Sequence, residues 1–209
     1  MRNKALSKDI QVGLTPNAVL HDLLAGNERY TSNNITASDV PSLVEQTTNG
    51  QFPKAVILSC IDSRVPVEMV FDQTIGDVFV ARVAGNFENV DILGSMEYSC
   101  KVAGSKLVLV LGHESCGAVK AACDGVELGN ITAMLDNIVP AAKMASEEVD
   151  GVADSSNSAF VAKTVENNVK LTVERIREKS PILAEMEKNG EIQIVGGVYS
   201  LTTGKVTML

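Results

Sequence analysis

Four short, mainly apolar runs recur along the chain without the polar alternation of a surface strand. They cover Lys54–Ser59, Asp77–Val83, Lys106–Gly112 and Glu191–Val198. Such runs predict strands buried on both faces, as in a parallel sheet that is covered by helices. A final Val-rich piece follows the turn at Thr203-Gly204 and predicts an edge strand.

Segments with apolar residues at helical spacing separate these runs. They are, roughly, Asp91–Ala103, Gly117–Cys123, Ile131–Val149 and Asn157–Lys179. Ahead of the first run, Thr15-Pro16 is typical of an N-cap followed by proline at the first helical position. This pattern predicts a further helix over Asn17–Ser32, whose apolar stripe needs either its own domain or a partner subunit to cover it.

Strands that alternate with helices predict an α/β fold. We expect a central, mostly parallel β-sheet of about four parallel strands plus an edge strand, flanked by helices. The 209 residues fit a single domain over 1–209, with an N-terminal helical arm over 1–50 and an α/β core over 51–209.

Charge and hydropathy narrow the classes of partner. The net charge of -8 and the isoelectric point near 4.8 argue against a nucleic-acid partner, because phosphate binding needs basic patches. No segment approaches the roughly 18 apolar residues of a membrane-spanning helix, so no membrane partner is expected.

The first residues of the chain and its cysteines indicate the cellular compartment in which the protein is expected. Residues 1–9 include Arg2, Lys4 and Lys8 but no apolar run follows them, so they do not resemble a signal peptide. We expect a cytoplasmic protein, with a periplasmic location as the alternative if a signal peptide was removed. Cys100 and Cys123 are expected to be buried free thiols.

Metal-ligating residue types follow two of the four runs. Cys60 comes directly after the first run, whereas His113 and Cys116 follow the third. Adjacent parallel strands bring their carboxyl ends to one edge of the sheet, so these side chains are expected to meet. Two thiolates and one imidazole form a zinc ligand set with an open fourth position, which is typical of a catalytic site. The alternative is a buried cysteine and a core histidine, which two such clusters in one chain disfavour.

Asp62 and Arg64 follow Cys60 at alternate positions. A carboxylate and a guanidinium at this spacing can pair bidentately, and the pairing would lower the pKa of the carboxyl group. A purely structural metal site has no use for such a pair.

Two motifs carry a resemblance to a known family. The segments Ser59-Cys60-Ile61-Asp62-Ser63-Arg64-Val65-Pro66 and Gly112-His113-Glu114-Ser115-Cys116-Gly117 resemble the signature of the β-class carbonic anhydrases. The likeness is dense from Gln51 to Gly117. It thins through the later helices and returns weakly at Gly197-Val198-Tyr199 and Thr203-Gly204.

The resemblance implies a Zn²⁺ cofactor held by Cys60, His113 and Cys116. In this family the aspartate that matches Asp62 accepts a hydrogen bond from the zinc-bound water or becomes a conditional fourth ligand. The arginine that matches Arg64 draws that aspartate away from the metal. The zinc ligands and the Asp62–Arg64 pair together imply, through this resemblance, a carbonate dehydratase that hydrates CO₂ to bicarbonate and a proton.

The resemblance also implies a substrate pocket and an assembly. The pocket positions of the family fall on Gln51, Phe79, Ala84, Tyr98 and the backbone N–H of Gly117. Phe79 could instead fill the core, and Tyr98 could be a helix-packing residue. The family's site lies between subunits, which implies a homodimer or a dimer of dimers with CO₂ and bicarbonate as small-molecule partners.

The sequence departs from the family pattern at two positions. Val83 stands where the family often has asparagine, and Ile57 stands where one subclass has the tryptophan of a regulatory bicarbonate site. The second departure favours an open, water-bearing zinc. Two alternatives keep the metal: a carbonyl sulfide or carbon disulfide hydrolase on the same fold, and a non-catalytic zinc-binding protein.

Overall fold

The computed structural model describes residues 1–209 and places the four apolar runs side by side in one sheet. The strand order is β2-β1-β3-β4-β5, in which β1 to β4 are parallel and β5 is antiparallel to β4. The α/β fold with four parallel strands and an edge strand is confirmed. The strands are β1 Ala55–Ser59, β2 Val78–Arg82, β3 Leu107–His113, β4 Gln193–Tyr199 and β5 Val206–Met208.

Ten α-helices and one π-helical turn connect and cover the strands. Three helices precede the sheet, and the longest, α9, follows the loop that begins at Asp150. The helices are α1 Lys8–Val12, α2 Pro16–Thr31, α3 Val40–Thr47, α4 Val67–Val70, α5 Val90–Glu97, α6 Gly117–Cys123, α7 Gly129–Leu135, α8 Val139–Glu148, α9 Ser158–Lys179 and α10 Pro181–Lys188. The π-helical turn covers Tyr98–Val102 and continues directly from α5.

Both faces of the two central strands are buried, which explains why their sequences are apolar without alternation. On one face, Val56 and Val108 pack with Ile176 of α9 in the largest buried cluster. On the other face, Ile57 packs in a second cluster with Leu23 of α2. The N-terminal helix α2 therefore covers the sheet of its own chain.

Helix α9 approaches the sheet closely at Val169. A Cβ atom added at Gly112 of β3 would lie 2.6 Å from Val169 Cγ2, and one added at Gly196 of β4 would lie 2.5 Å from Val169 Cγ1. Only glycine leaves enough room at both strand positions. The valine side chain thus fills a hollow that two adjacent strands form together.

A buried carboxylate holds the N-terminal region on the core. Asp72, in the loop after α4, has a side chain that is only 3% exposed. It accepts hydrogen bonds from Arg29 Nε at 2.5 Å and from both the backbone N–H and the hydroxyl of Thr36. Arg2 also pairs with this carboxylate. One side chain therefore joins the chain start, α2, the loop before α3 and the core.

The structure corrects several helix predictions. The predicted single helix over Ile131–Val149 is wrong, because the chain breaks between α7 and α8. Pro140 in the first turn of α8 lacks an N–H and cannot sit inside a continuous helix. The predicted helix over Asp91–Ala103 is α-helical only to Glu97. Four short helices, α1, α3, α4 and α10, were not predicted.

None of the ten helices is both long enough and apolar enough to cross a membrane.

Candidate metal centre

The carboxyl ends of β1 and β3 meet at one edge of the sheet, because these strands are hydrogen-bonded neighbours. Cys60 follows β1 directly, His113 is the last residue of β3, and Cys116 is the N-cap of α6. All three residues are buried, and their ligand atoms lie within 4.8 Å of one another. The two sulfur atoms are 3.9 Å apart.

The imidazole of His113 has one nitrogen occupied and one free. Nδ1 lies 2.9 Å from the carbonyl oxygen of Glu114, which it can reach only as an N–H donor. Nε2 is buried and has no hydrogen-bond partner. A ring held by this bond presents the lone pair of Nε2 to a metal, which is the usual orientation of a histidine ligand.

The distances fit a zinc ion. Zinc–sulfur bonds of ~2.3 Å at a tetrahedral angle place two thiolate sulfurs about 3.8 Å apart. The Sγ–Sγ distance of Cys60 and Cys116 is 3.9 Å. The unpartnered Nε2 of His113 supplies the third donor. Two soft thiolates with one imidazole suit zinc better than magnesium or calcium.

The two thiols titrate as a pair because one lies in hydrogen-bonding distance of the other. The hydrogen bond between the two sulfurs holds the pKa of Cys60 below its usual value. The same interaction and burial raise the pKa of Cys116. The Gly85 N–H donates to Cys60 Sγ at 3.4 Å and supports negative charge on that sulfur. A divalent cation would supply the charge that lets both sulfurs be thiolates.

Asp62 is held by Arg64 as the sequence predicts. Arg64 Nε and Nη2 donate to the two carboxylate oxygens at 2.9 and 2.8 Å, and the Arg64 backbone N–H donates to one of them at 2.9 Å. The guanidinium holds the pKa of Asp62 well below its usual range. The carboxylate is therefore ionised at every pH at which the protein is expected to work.

The carboxylate of Asp62 stands beside the metal ligands without joining them. Its Oδ2 is 3.8 Å from Nε2 of His113. It is absent from the group of ligand atoms that lie within 4.8 Å of one another. Both carboxylate oxygens face the guanidinium, and the conditional fourth-ligand role of Asp62 stays a prediction.

Arg82 is a neighbour of the metal centre that was not among the predicted site residues. Its Nε donates to the carbonyl oxygen of Cys60 at 2.8 Å, and its Nη2 donates to that of Asp62 at 2.6 Å. The contact depends on the register of β2 against β1, in which Arg82 faces Ser59. Its place near the end of a predicted strand is a sequence signal for this contact.

Two of the five predicted pocket residues lie near the metal ligands. Gly117 follows Cys116 and is the first residue of α6, and Ala84 precedes Gly85, whose N–H contacts Cys60. The backbone N–H of Gly117 belongs to the first turn of the helix, where amides have no intrahelical acceptor.

The other three predicted pocket residues lie elsewhere in the same chain. Phe79 pairs with Val56, four positions before Cys60, or roughly 13 Å along the strand. Its ring contacts Tyr98 edge-on, with centroids 6.3 Å apart, and both line a cleft of ≈ 730 Å³. Gln51 and Tyr98 border a neighbouring cleft of ≈ 510 Å³. One chain thus carries two separate parts of the predicted pocket.

A family model described as carbonic anhydrase matches residues 55–206, which is most of the chain. The chain belongs to the carbonic anhydrase family. Carbonic anhydrase 2 of Mycobacterium tuberculosis is 32% identical over 205 residues, covering 92% of each protein. The carbonic anhydrase of Mycolicibacterium smegmatis is 33% identical over 166 residues, covering 77% of each.

Solved structures that resemble this carbonic anhydrase belong to the β class. A Coccomyxa β-carbonic anhydrase in complex with acetazolamide superposes with a TM-score of 0.73 at 26% identity, covering 91% of this chain and 86% of that one. Tetrameric β-carbonic anhydrases of Sordaria macrospora share the fold, with a TM-score of 0.74 at 22% identity, covering 91% of this chain and 96% of that one. The predicted family and enzyme class, carbonate dehydratase, are confirmed. Zinc is the family's cofactor, and Cys60, His113 and Cys116 form the group that can hold it.

Proposed function

We propose that this chain catalyses the reversible hydration of CO₂ to bicarbonate and a proton. The observation that carries the proposal is the buried Cys60–His113–Cys116 group beside a carboxylate that an arginine holds at both oxygens. These three residues would hold a zinc ion and leave one coordination position for water, and the ionised carboxylate of Asp62 would be its polar neighbour.

Each residue of the centre has a distinct task in this reaction. When bound, zinc supplies a Lewis acid that makes hydroxide available from water near neutral pH. Asp62, which Arg64 keeps ionised, accepts a hydrogen bond from the attacking water and orients it. The Gly117 amide donates to a CO₂ oxygen on which negative charge develops, and Ala84 contributes an apolar surface beside it.

We propose that the site is completed across a homodimer interface. Phe79 lies roughly 13 Å along the strand from the metal-ligand end, and the clefts that Gln51, Phe79 and Tyr98 line contain none of the three metal ligands. The surface around them is apolar, since Tyr98 is 54% and Val102 is 71% exposed. A second copy that covers this surface would present the three residues to its partner's metal centre, as a dimer or a dimer of dimers. The Sordaria macrospora enzymes are described as tetrameric.

We also propose that residues 1–209 fold as one domain and act in the cytoplasm. The buried clusters include residues of α2 in the arm and of the sheet in the core, which supports a single folding unit. The four cysteines are free, and two of them are assigned to the metal. Free thiols suit a reducing compartment.

The proposal is tested by measuring zinc and CO₂ hydration in the wild type, Cys60→Ser and Cys123→Ser. Cys60→Ser removes a thiolate ligand, so we expect most of the zinc and at least a hundredfold of the activity to be lost. Cys123 lies outside the metal group, so Cys123→Ser should keep one zinc per chain and the wild-type rate.

Substrate choice is tested in the same preparations by following sulfide release from carbonyl sulfide and carbon disulfide. We expect CO₂ hydration to dominate. A zinc-loaded wild type that releases sulfide but does not hydrate CO₂ would contradict the proposed substrate. Full CO₂ hydration by zinc-free Cys60→Ser would contradict the metal assignment.

A further inference from the structure

The backbone pairing between β1 and β2 stops just before the metal centre. Its last bond runs from the Val83 N–H to the carbonyl oxygen of Ser59, at 3.1 Å. The next two residues, Cys60 and Ile61, lie outside any strand. The segment Cys60–Asp62 therefore leaves the sheet without the backbone hydrogen bonds to β2 that hold the rest of β1.

Beyond the last backbone hydrogen bond, the guanidinium of Arg82 on β2 binds this segment. Nε donates to the Cys60 carbonyl at 2.8 Å, and Nη2 donates to the Asp62 carbonyl at 2.6 Å. The Val65 N–H also donates to the Asp62 carbonyl, at 3.1 Å, within the turn that Asp62 begins. Arg82 is thus the side chain that ties this segment to the neighbouring strand.

Two arginines hold Asp62 by different groups. Arg64 contacts the carboxylate, and Arg82 contacts the backbone carbonyl of the same residue. Arg64 belongs to the same segment as Asp62, so it can orient the carboxylate but cannot attach the segment to the sheet. Arg82 stands on β2 and supplies the fixed point.

We propose that Arg82 is a positioning residue that sets the location of Cys60 Sγ and of the Asp62 carboxylate relative to His113 and Cys116. The proposal deepens the proposed function and rests on the same metal centre. A planar guanidinium fork reaches two carbonyl oxygens at once, whereas a lysine ammonium on a flexible stem has no such fork. The Arg82 residue is exposed, so its contribution is to geometry more than to folding free energy.

The test compares Arg82→Met and Arg82→Lys with the wild type and a matched control. Arg175 Nη1 also donates to a backbone carbonyl, that of Asn137 at 2.9 Å, but it lies on α9 outside the metal group. Arg175→Met therefore removes the same kind of bond elsewhere. Each protein is measured for zinc stoichiometry, thermal unfolding, CO₂ hydration and the visible absorption of the Co²⁺-substituted form, which reports the geometry around the thiolate ligands.

For Arg82→Met we expect one metal per chain, an altered Co²⁺ spectrum and a kcat about tenfold lower, as expected for loss of charge-assisted hydrogen bonds. Arg82→Lys should recover only part of the spectrum and rate. Arg175→Met should keep the wild-type spectrum and rate. Methylguanidine added to Arg82→Ala should move the spectrum back towards that of the wild type.

A wild-type Co²⁺ spectrum in Arg82→Met, or equal spectral changes in Arg82→Met and Arg175→Met, would overturn the proposal. If Arg82→Met does not fold, the same comparison with Arg82→Lys decides, and an unchanged spectrum again overturns it. The spectrum does not depend on turnover. A wild type that fails to hydrate CO₂ would therefore contradict the proposed function while leaving the role of Arg82 open to the spectral test.

Discussion

At the scale of single residues, Asp72 shows how environment decides the state of a carboxylate. Burial alone would raise the pKa of Asp72, but hydrogen bonds from Arg29 and Thr36 hold the pKa below its usual range. The residue was not singled out from the sequence, because its partners Arg2, Arg29 and Thr36 are distant along the chain. Cys60, His113 and Cys116 could be singled out, since each follows a recognisable strand.

We expect Asp72→Asn to lower the free energy of unfolding by about 2 kcal/mol at pH 7, because it removes the ion pairs of a buried carboxylate. A carboxyl whose folded pKa is depressed stabilises the fold above its unfolded pKa of about 3.9, and this contribution is lost as the pH falls through the folded value. The difference between wild type and variant, measured by urea unfolding from pH 7 to pH 3, should therefore shrink below about pH 4.

Asp136→Asn is the control for this prediction, because Asp136 is exposed and forms no ion pair within the chain. It should leave the unfolding curve close to that of the wild type. A difference for Asp72→Asn that grows on acidification would show that the carboxylate is not stabilised in its ionised form.

At the scale of elements, the close approach of α2 to the core depends on Gly26. A Cβ atom at this position would overlap the carbonyl group of Phe71. The sequence predicted the helix well, as Asn17–Ser32 against the observed Pro16–Thr31, but not where it would touch the core. Helical periodicity identifies an apolar face, whereas a backbone contact between distant segments leaves no periodic signal.

We expect Gly26→Ala to destabilise the protein by about 3 kcal/mol or more, because neither backbone can move without separating α2 from the sheet. Gly13→Ala is the matched control: its φ is -76° and its added Cβ meets only ordinary contacts, the nearest at 3.6 Å. That variant should change the free energy of unfolding by less than about 1 kcal/mol. Equal losses in chemical unfolding would contradict the proposed contact.

Two of the short helices were not predicted, for local reasons. Helix α10 begins with Ser180 as N-cap and Pro181 as first residue, a start signal that follows directly on the end of α9. Helix α1 is only five residues long, and its Gln11 side chain bonds the carbonyls of Pro53 and Ala103. Tertiary bonds of this kind, and not intrinsic propensity, support such short helices.

At the scale of the whole molecule, the pocket predicted from the family likeness is distributed over two regions of one chain. The metal ligands occupy the carboxyl edge of the sheet, and Phe79 lies near the opposite end of β2. Linear motifs name the residues of a site but do not say which copy of the chain supplies them. Only the family resemblance, which implies a site between subunits, bears on that question.

We expect Cys60→Ser and Tyr98→Ala chains to complement each other when they are co-expressed. A mixed dimer has one site with an intact metal group from the Tyr98→Ala chain and an intact Tyr98 from the other chain. CO₂ hydration by the mixture should therefore exceed the sum of the two variants prepared alone. Co-expression of Cys60→Ser with His113→Ala is the control, because every metal group in that mixture is damaged and no recovery is expected.

An absence of recovery in the first mixture, with mixed dimers shown by mass spectrometry, would indicate that each chain completes its own site. The exposed cleft at Phe79 and Tyr98 would then need another occupant.

Val169 fills a hollow above Gly112 and Gly196, so the effect of a substitution at any one of these three positions depends on the residues at the other two. Gly112→Ala or Gly196→Ala would clash with Val169 and destabilise the fold. The same substitution becomes tolerable when Val169→Ala removes the clashing methyl groups. Substitutions that are harmful one at a time can thus be harmless together, and the order in which they arise matters. Gly112 immediately precedes His113, so this packing rule also limits the routes by which the strand beneath the metal ligand can change in evolution.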